Sequence, residues 1–362
     1  MLTRFDDYPI HQTPEPVAHT AAADRNFYDR YFFNGFTRSG DLFFAAAMGL
    51  YPNRRVLDAS LSVVRGGRQH SLHASRLAPG ERGENRVGPI AVEVLEPMRR
   101  LRLRAEPNEH GLSCDLVFHA ATEAIEEERA TRRHEGRVFM DSTRFTQFGD
   151  WEGRLSVAGE EIDVAGSIGC RDRSWGIRPV GEPEGGAPGA PPQVFWLWAP
   201  IRFDGVCTHF GTFEDGEGRP WHAGGAICQT LAEGGEIERL RTLGHRVEWE
   251  PGTRRCRSAE LDLVRHGGET VTVRLEPILT FQMLGLGYLN PEWGHGQWKG
   301  PEAVAGESWA LKDLNPLDPR HIHVQQLVRA RWGARQGIGV FEQLVLGPHA
   351  PSGFRSLFDG AR

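Results

Sequence analysis

Short runs of alternating apolar and polar residues, separated by turn residues, make up most of this chain. In the first half they cover residues 41–51, 55–64, 90–95, 100–105, 111–120 and 136–145. Because side chains alternate faces along a strand, runs spaced about 8–12 residues apart predict antiparallel strands of a sandwich or barrel. The best helical candidate is the charged segment 122–133. The sequence contains neither βαβ alternation nor a glycine-rich phosphate loop.

The second half of the chain repeats the order and spacing of the first half. The aromatic run 195–198 parallels 31–33, segment 207–213 parallels 42–51, segment 221–230 parallels 56–64, and the hairpin 260–275 parallels 101–118. Residues 181–192 are rich in Gly and Pro, a composition typical of a flexible linker. We therefore predict an all-β fold of two similar antiparallel domains, residues 27–190 and 191–362, after an irregular arm of residues 1–26. Two further strands are predicted near the end, at 321–331 and 339–346.

Composition excludes several classes of protein. The net charge of −6 over 362 residues and the scattered arginines give no reason to expect a nucleic-acid partner. No apolar run approaches the roughly 18–20 residues of a membrane helix, so no integral membrane segment is expected. Five widely spaced cysteines predict reduced thiols in a cytoplasmic protein rather than a disulfide framework. The sequence leaves the oligomeric state open.

The segment 169–179 carries the strongest candidates for chemistry. As a strand it directs its side chains to two faces, with Cys170, Asp172 and Ser174 on one and Arg171, Arg173 and Trp175 on the other. Flanking guanidinium groups lower the pKa of a carboxyl group, so Asp172 is expected to stay ionised, and Arg173 or Arg178 could hold an oxyanion. The alternative is a structural Asp–Arg pair that closes a barrel end, with Trp175 stacked on an arginine.

Aromatic and histidine side chains in the second half are further candidates. Trp196 and Trp198 share one strand face, where they either line an apolar cavity with indole N–H donors or fill the core. His209 and His222 lie on strand-like runs, and each is either a general acid or base or a hydrogen-bonded structural residue.

A metal site is a further possibility. His321 and His323 would share a face of a strand, with Glu342 and His349 as possible additional ligands. A serine nucleophile motif of the Gly-x-Ser-x-Gly type is missing.

The run from Asp172 to Gly176, the aromatic strand after the loop, the duplicated β pattern and the ending at 337–349 resemble a known family. It is the AttH and carotenoid 1,2-hydratase superfamily, to which the fungal lipocalin-like Diels–Alderases are more distantly related. The resemblance covers about residues 27–350 and is closest to a bacterial branch. It implies two lipocalin-like β domains, no cofactor, and a large apolar pocket near their interface for an isoprenoid, polyene or polyketide-like molecule.

The motif departs from the hydratase pattern at one position that matters for chemistry. In the hydratases the residue after the motif aspartate is a histidine that can shuttle protons, whereas this chain has Arg173. Arginine does not lose its proton in proteins, which argues against carotenoid hydration itself. Proton transfer would have to come from Asp172, His209, His222 or Tyr31.

We therefore expect a cofactor-independent enzyme, of the hydratase, isomerase, lyase or cyclase type, acting on a hydrophobic small molecule. A non-catalytic lipocalin-like carrier of the same kind of ligand and a His-liganded metal barrel are the alternatives. The expected catalytic residues are Asp172, Arg173 and His209, and the expected substrate-binding residues are Tyr31, Trp175, Arg178, Trp196, Trp198 and His222.

Overall fold

Two antiparallel sheets account for most of the molecule, in a computed structural model that describes residues 2–134, 136–180 and 192–362. Sheet A contains β1 (Phe27–Phe36), β2 (Leu42–Tyr51), β3 (Val56–Arg65), β4 (Arg68–Leu77), β5 (Arg86–Val87), β6 (Ile90–Glu96), β7 (Arg100–Ala105), β8 (Leu112–Ala120), β9 (Ile125–Glu126), β10 (Ala130–His134), β11 (Arg137–Val157), β12 (Glu160–Asp163), β13 (Ile168–Ile177) and β21 (Glu302–Ala310). Sheet B contains β14 (Val194–Arg202), β15 (Val206–Glu214), β16 (Pro220–Gln229), β17 (Ile237–Arg239), β18 (Thr242–Trp249), β19 (Cys256–Val264), β20 (Thr270–Gln282), β22 (His323–Trp332) and β23 (Arg335–Leu346). Sheet A curls into a near-barrel and sheet B into a half-barrel, which confirms the predicted all-β fold class.

The helices of the described chain are single 3₁₀ turns. They are Arg4–Asp7, Pro52–Arg54, Leu231–Glu233, Met283–Leu286, Leu311–Asp313, Pro319–His321 and Ala350–Ser352. Among the described residues, no helix is long and apolar enough to span a membrane.

The two sheets have the same strand order, as the sequence repeat predicts. In sheet A the order is β3-β2-β1-β13-β11-β8-β7-β6, and in sheet B it is β16-β15-β14-β23-β22-β20-β19-β18. The hairpin of β19 and β20 therefore occupies the position of β7 and β8. Strands β13 and β23 correspond as well, and each pairs with the first strand of its own sheet.

One strand, β21, does not belong to the same sheet as the strands before and after it in the sequence. Strand β21 pairs along its whole length with β4 at the edge of sheet A, although the chain on either side of it belongs to sheet B. The expected domain boundary at residues 190 and 191 and most of the expected linker 181–192 lie outside the described residues.

The predicted helix over residues 122–133 is wrong. The segment forms β9 and β10, and both pair with the long strand β11. Within this segment Glu127 is buried and forms an ion pair with Arg144 of β11, so a tertiary contact decides the local structure.

Apolar residues pack into three layers that follow the alternation of the strands. One cluster fills the inside of sheet A, one fills the concave side of sheet B, and a third lies between the two sheets. Trp151 is central to the first cluster, with its ring 5.3 Å from those of Phe44 and Phe118 and 6.0 Å from that of Phe33. Its indole N–H donates to the carbonyl of Asn34, so its polar group is satisfied.

The five cysteines are free and buried. Burial raises the pKa of the Cys114 thiol to about 12, which makes this side chain an inert core residue.

We expect Trp151→Ala to lower the free energy of unfolding by about 3–5 kcal/mol, because the neighbouring rings cannot refill the vacated volume. Trp298→Ala is the matched control, since the Trp298 side chain is half exposed. Urea unfolding followed by circular dichroism measures both, and similar losses in the two variants would contradict this account of the core.

Candidate functional site

Strand β13 places its side chains on two opposite faces of sheet A, as predicted. Asp172 lies opposite Phe32 and Thr146 on the face toward sheet B, where the Phe32 ring is 6.3 Å from that of Trp198. Arg173 lies opposite Tyr31 on the inner face of the near-barrel and stacks on its ring at 3.9 Å.

This alternation divides the set of predicted site residues. Asp172, Arg178, Trp196, Trp198, His209 and His222 lie between the sheets, whereas Tyr31, Arg173 and Trp175 lie on the inner face. Asp172 and Arg173 were predicted to act together, but the structure places them on opposite faces of sheet A. Trp175 is exposed, and its ring contacts Phe145 on that inner face rather than an arginine.

The carboxyl group of Asp172 is the most unusual feature between the sheets. Burial raises its pKa to about 6, although the positive charge of Arg144 opposes this shift. The expectation that neighbouring arginines lower its pKa is wrong, because Arg171 and Arg173 point to the other face. No described residue donates a hydrogen bond to its carboxylate, and the side chain keeps some accessible surface. A carboxyl in this state can both hold and release a proton near neutral pH.

Beside Asp172, an ion pair joins β9, β11 and sheet B. The guanidinium of Arg144 donates from Nε to Glu127 at 2.9 Å and lies over the rings of Trp196 and Trp198. Burial would raise the pKa of Glu127, but Arg144 and His209 hold it well below its usual range. Glu127 is therefore a permanent anion that balances Arg144.

His209 completes this ion pair from β15. Its Nε2 lies 3.2 Å from Glu127 Oε1 and 3.1 Å from the indole nitrogen of Trp198. One ring nitrogen cannot donate to the carboxylate and accept from the indole at the same time. His209 Nε2 can therefore form a hydrogen bond with only one of these two partners at a time.

A second buried carboxylate lies on β23. Glu342 accepts hydrogen bonds from the Trp196 indole at 3.0 Å and from Gln325 at 2.6 Å, and it lies 2.9 Å from His323. Burial works against its ionisation, but the contact with His323 lowers its pKa. Since both indole N–H groups are engaged by protein side chains, neither tryptophan offers a free donor to a ligand, and the two rings act as apolar walls.

Two further arginines approach the site from the other side. Arg178 lies over the rings of Tyr28 and Tyr288, and its Nη2 is 3.3 Å from His295. Arg30 lies over the Tyr288 ring and donates to the carbonyl of Leu286.

Opposite these arginines, an aromatic ladder continues from sheet B. Trp196 stacks on Phe213 at 4.1 Å, and Phe213 stacks on Trp221 at 4.7 Å. His222 is half-buried beside this ladder, and burial followed by the charge of Arg144 lowers its pKa. The imidazole of His222 is therefore neutral at physiological pH and can accept a proton rather than donate one.

The histidines expected to form a metal site do not converge. His321 ends a 3₁₀ turn instead of sharing a strand with His323, and its Nδ1 contacts the carbonyl of Asn315. His349 lies against Glu214, away from Glu342. Within the part of the chain that the structure describes, no three His, Cys, Asp or Glu side chains group as metal ligands.

Sequence reasoning missed Arg30, Glu127, Arg144 and Tyr288. Arg144 and Glu127 lie 17 positions apart, and Arg30 and Tyr288 lie in different halves of the chain. One signal could have found two of them. Arg30, Arg144 and Asp172 occupy even-numbered positions of β1, β11 and β13, and with this register such positions share one face of the sheet.

The raised pKa of Asp172 predicts a pH-dependent stability. The folded protein holds this proton more tightly than the unfolded chain, so the stability associated with the neutral carboxyl is present below about pH 4 and is lost as the pH rises through about 6. We expect Asp172→Asn, which mimics the neutral form, to be about 2 kcal/mol more stable than the unmodified protein at pH 8.

That gain should shrink steadily toward pH 4. Urea titrations at both pH values measure it, with Asp163→Asn as the control, because Asp163 is exposed at the end of β12. A gain that is equal at both pH values would contradict the assigned ionisation.

The fold is similar to those of several solved proteins. A protein of Nitrosomonas europaea assigned to AttH superposes with a TM-score of 0.56 at 13% identity, over 93% of this chain and 98% of the other. Kievitone hydratase of Nectria haematococca gives 0.52 at 13% identity, over 95% and 96%. CghA in complex with Sch210972 gives 0.53 at 9% identity, over 89% of each chain. These likenesses confirm the predicted AttH-like architecture.

At the level of sequence, no curated protein matches the chain. One family model matches residues 2–355, nearly the whole length. The chain therefore belongs to the family of unknown function DUF8625, whose fold in this protein is that of the AttH-like proteins.

Proposed function

We propose that this protein is a cofactor-independent enzyme that transfers a proton to or from a hydrophobic small molecule held between the two sheets. The reaction belongs to the hydratase, isomerase, lyase or cyclase type. The observation that carries the proposal is the Asp172 carboxyl group, which is partly buried between the sheets, has a pKa raised to about 6, and lacks a hydrogen bond from any described residue. A structural carboxylate in such a position is normally paired, because an unpaired buried charge is costly.

Asp172 is the general acid or base in this proposal. When it gives up its proton, the resulting anion is stabilised by the positive charges of Arg144 and Arg30, which are already fixed in place. Arg144 itself is held by Glu127, so no charged group needs to reorganise during the step. The neutral imidazole of His222 is a second acceptor on the same side of the site.

The rings in this region suit contact with an apolar substrate. Trp196, Phe213 and Trp221 form a continuous stack, and Arg30 and Arg178 lie on the ring of Tyr288. Such surfaces favour flat unsaturated skeletons, and they can stabilise a cationic intermediate through their π faces. An isoprenoid, polyene or polyketide-like molecule has this character, and the likeness in fold to kievitone hydratase and to CghA supports the same class.

A non-catalytic carrier is the second candidate, and one observation favours it. The indole N–H groups of Trp196 and Trp198 are both engaged by protein side chains, so this part of the wall offers a ligand only apolar contact. The two candidates differ in whether Asp172 is needed for conversion of the ligand or only lies beside it.

The test begins with organic-solvent extraction of the purified protein and mass spectrometry of the molecule that co-purifies. We expect Asp172→Asn to retain that molecule but to lower its turnover roughly 100-fold or more, as loss of a general acid or base does. The matched control, Asp163→Asn, should keep full activity. If Asp172 acts as the acid, kcat/KM should fall as the pH rises above about 6.

One result would decide for the carrier, namely an extracted ligand that the protein leaves unchanged under all conditions. Turnover that Asp172→Asn leaves intact would instead contradict the assignment of Asp172 as the general acid or base.

A further inference from the structure

A cavity opens on the inner face of the β1–β13 pair, at the mouth of the sheet A barrel. Its volume is about 560 Å³, within the range of small-molecule sites. Its lining includes Tyr31 and Val92 together with the arginines Arg82, Arg86 and Arg104. Phe5, from the first 3₁₀ turn, forms part of its wall.

The arginines of this cavity fall into two groups. Those on the rim are paired, since Arg86 lies 3.0 Å from Glu106 and Arg104 lies 3.6 Å from Glu93. Arg82 differs from them, because no described carboxylate forms an ion pair with it and no described residue accepts its hydrogen bonds. Burial and then the nearby charge of Arg173 oppose its protonation, and only the charge of Asp29 favours it.

Arg173 adds positive charge close to Arg82, although it does not itself line the cavity. Arg173 forms an ion pair with Asp29 at 2.7 Å, so that single carboxylate faces two guanidinium groups. Two residues before Arg173, Arg171 is buried against Gln147 and the sulfur of Met98, without a described carboxylate in contact. Arg82, Arg171 and Arg173 thus carry three positive charges on one face of the barrel, against the one negative charge of Asp29.

Buried guanidinium groups without enough counter-charge are unfavourable unless an anion joins them. The cavity is also lined by apolar side chains, among them Val92, Pro89 and the ring of Phe5. A lining that contains both guanidinium groups and apolar side chains matches a ligand with a charged and an apolar part.

We propose that the mouth of this barrel binds an amphipathic organic anion, with its carboxylate between Arg82 and Arg173 and its apolar part against Tyr31 and Val92. The site is separate from the one proposed around Asp172, because the two lie on opposite faces of sheet A. A fork of N–H donors from Arg82 suits a carboxylate, which accepts two parallel hydrogen bonds.

Isothermal titration of the full-length protein with octanoate tests this site, and 1-octanol serves as the uncharged probe of the same length. We expect octanoate to bind with an affinity that falls as salt is added, and 1-octanol to bind at least roughly tenfold more weakly. Arg82→Met, which keeps the length of the side chain without its charge, should weaken octanoate binding roughly tenfold.

Two variants make the result decisive. Asp29→Asn removes the competing carboxylate, so it should tighten octanoate binding and give the opposite sign to Arg82→Met. Arg154→Met removes an exposed arginine that is paired with Glu161 outside the cavity, and it should change nothing. Absence of octanoate binding, or binding that Arg82→Met leaves unchanged in a folded variant, would overturn the proposal.

Discussion

The ion pair of Glu127 and Arg144 is the contact on which the arrangement between the sheets depends. Arg144 lies on β11 of sheet A and Glu127 directly follows β9, and both are covered by Trp196, Trp198 and His209 of sheet B. Loss of one partner from a buried ion pair leaves an uncompensated charge and typically costs about 3–5 kcal/mol. The pair therefore links the strand conformation at β9 to the packing of sheet B against sheet A.

The same pair sets the chemistry of Asp172. Because Glu127 occupies the guanidinium of Arg144, that arginine acts on Asp172 only at a distance, and the positive charge is too weak to overcome burial. Glu127 also acts directly, because its negative charge raises the pKa of Asp172. A structural ion pair thus leaves the neighbouring carboxyl free to titrate.

A strand with a period of two residues allows one segment to serve two cavities. Asp172 faces sheet B, and Arg173, the next residue, faces the inside of the barrel. The uncompensated positive charge of the barrel mouth and the protonatable carboxyl between the sheets are separated by the thickness of one sheet. For this reason Asp172 and Arg173, which look like one cluster in the sequence, lie in two different environments in the structure.

The sequence by itself determined the all-β class, the repeat of strand order, the two faces of β13 and the burial of Trp196 and Trp198 together, because all of these follow from local alternation. Tertiary structure alone decided that β9 and β10 replace the predicted helix over 122–133 and that β21 crosses to sheet A. It also decided that burial raises the pKa of Asp172 to about 6 and that the charges of Arg30 and Arg144 act on this carboxyl. The physical reason is that alternation is a property of neighbours in the chain. Burial, charge balance and edge pairing depend on residues that meet only when the two sheets pack.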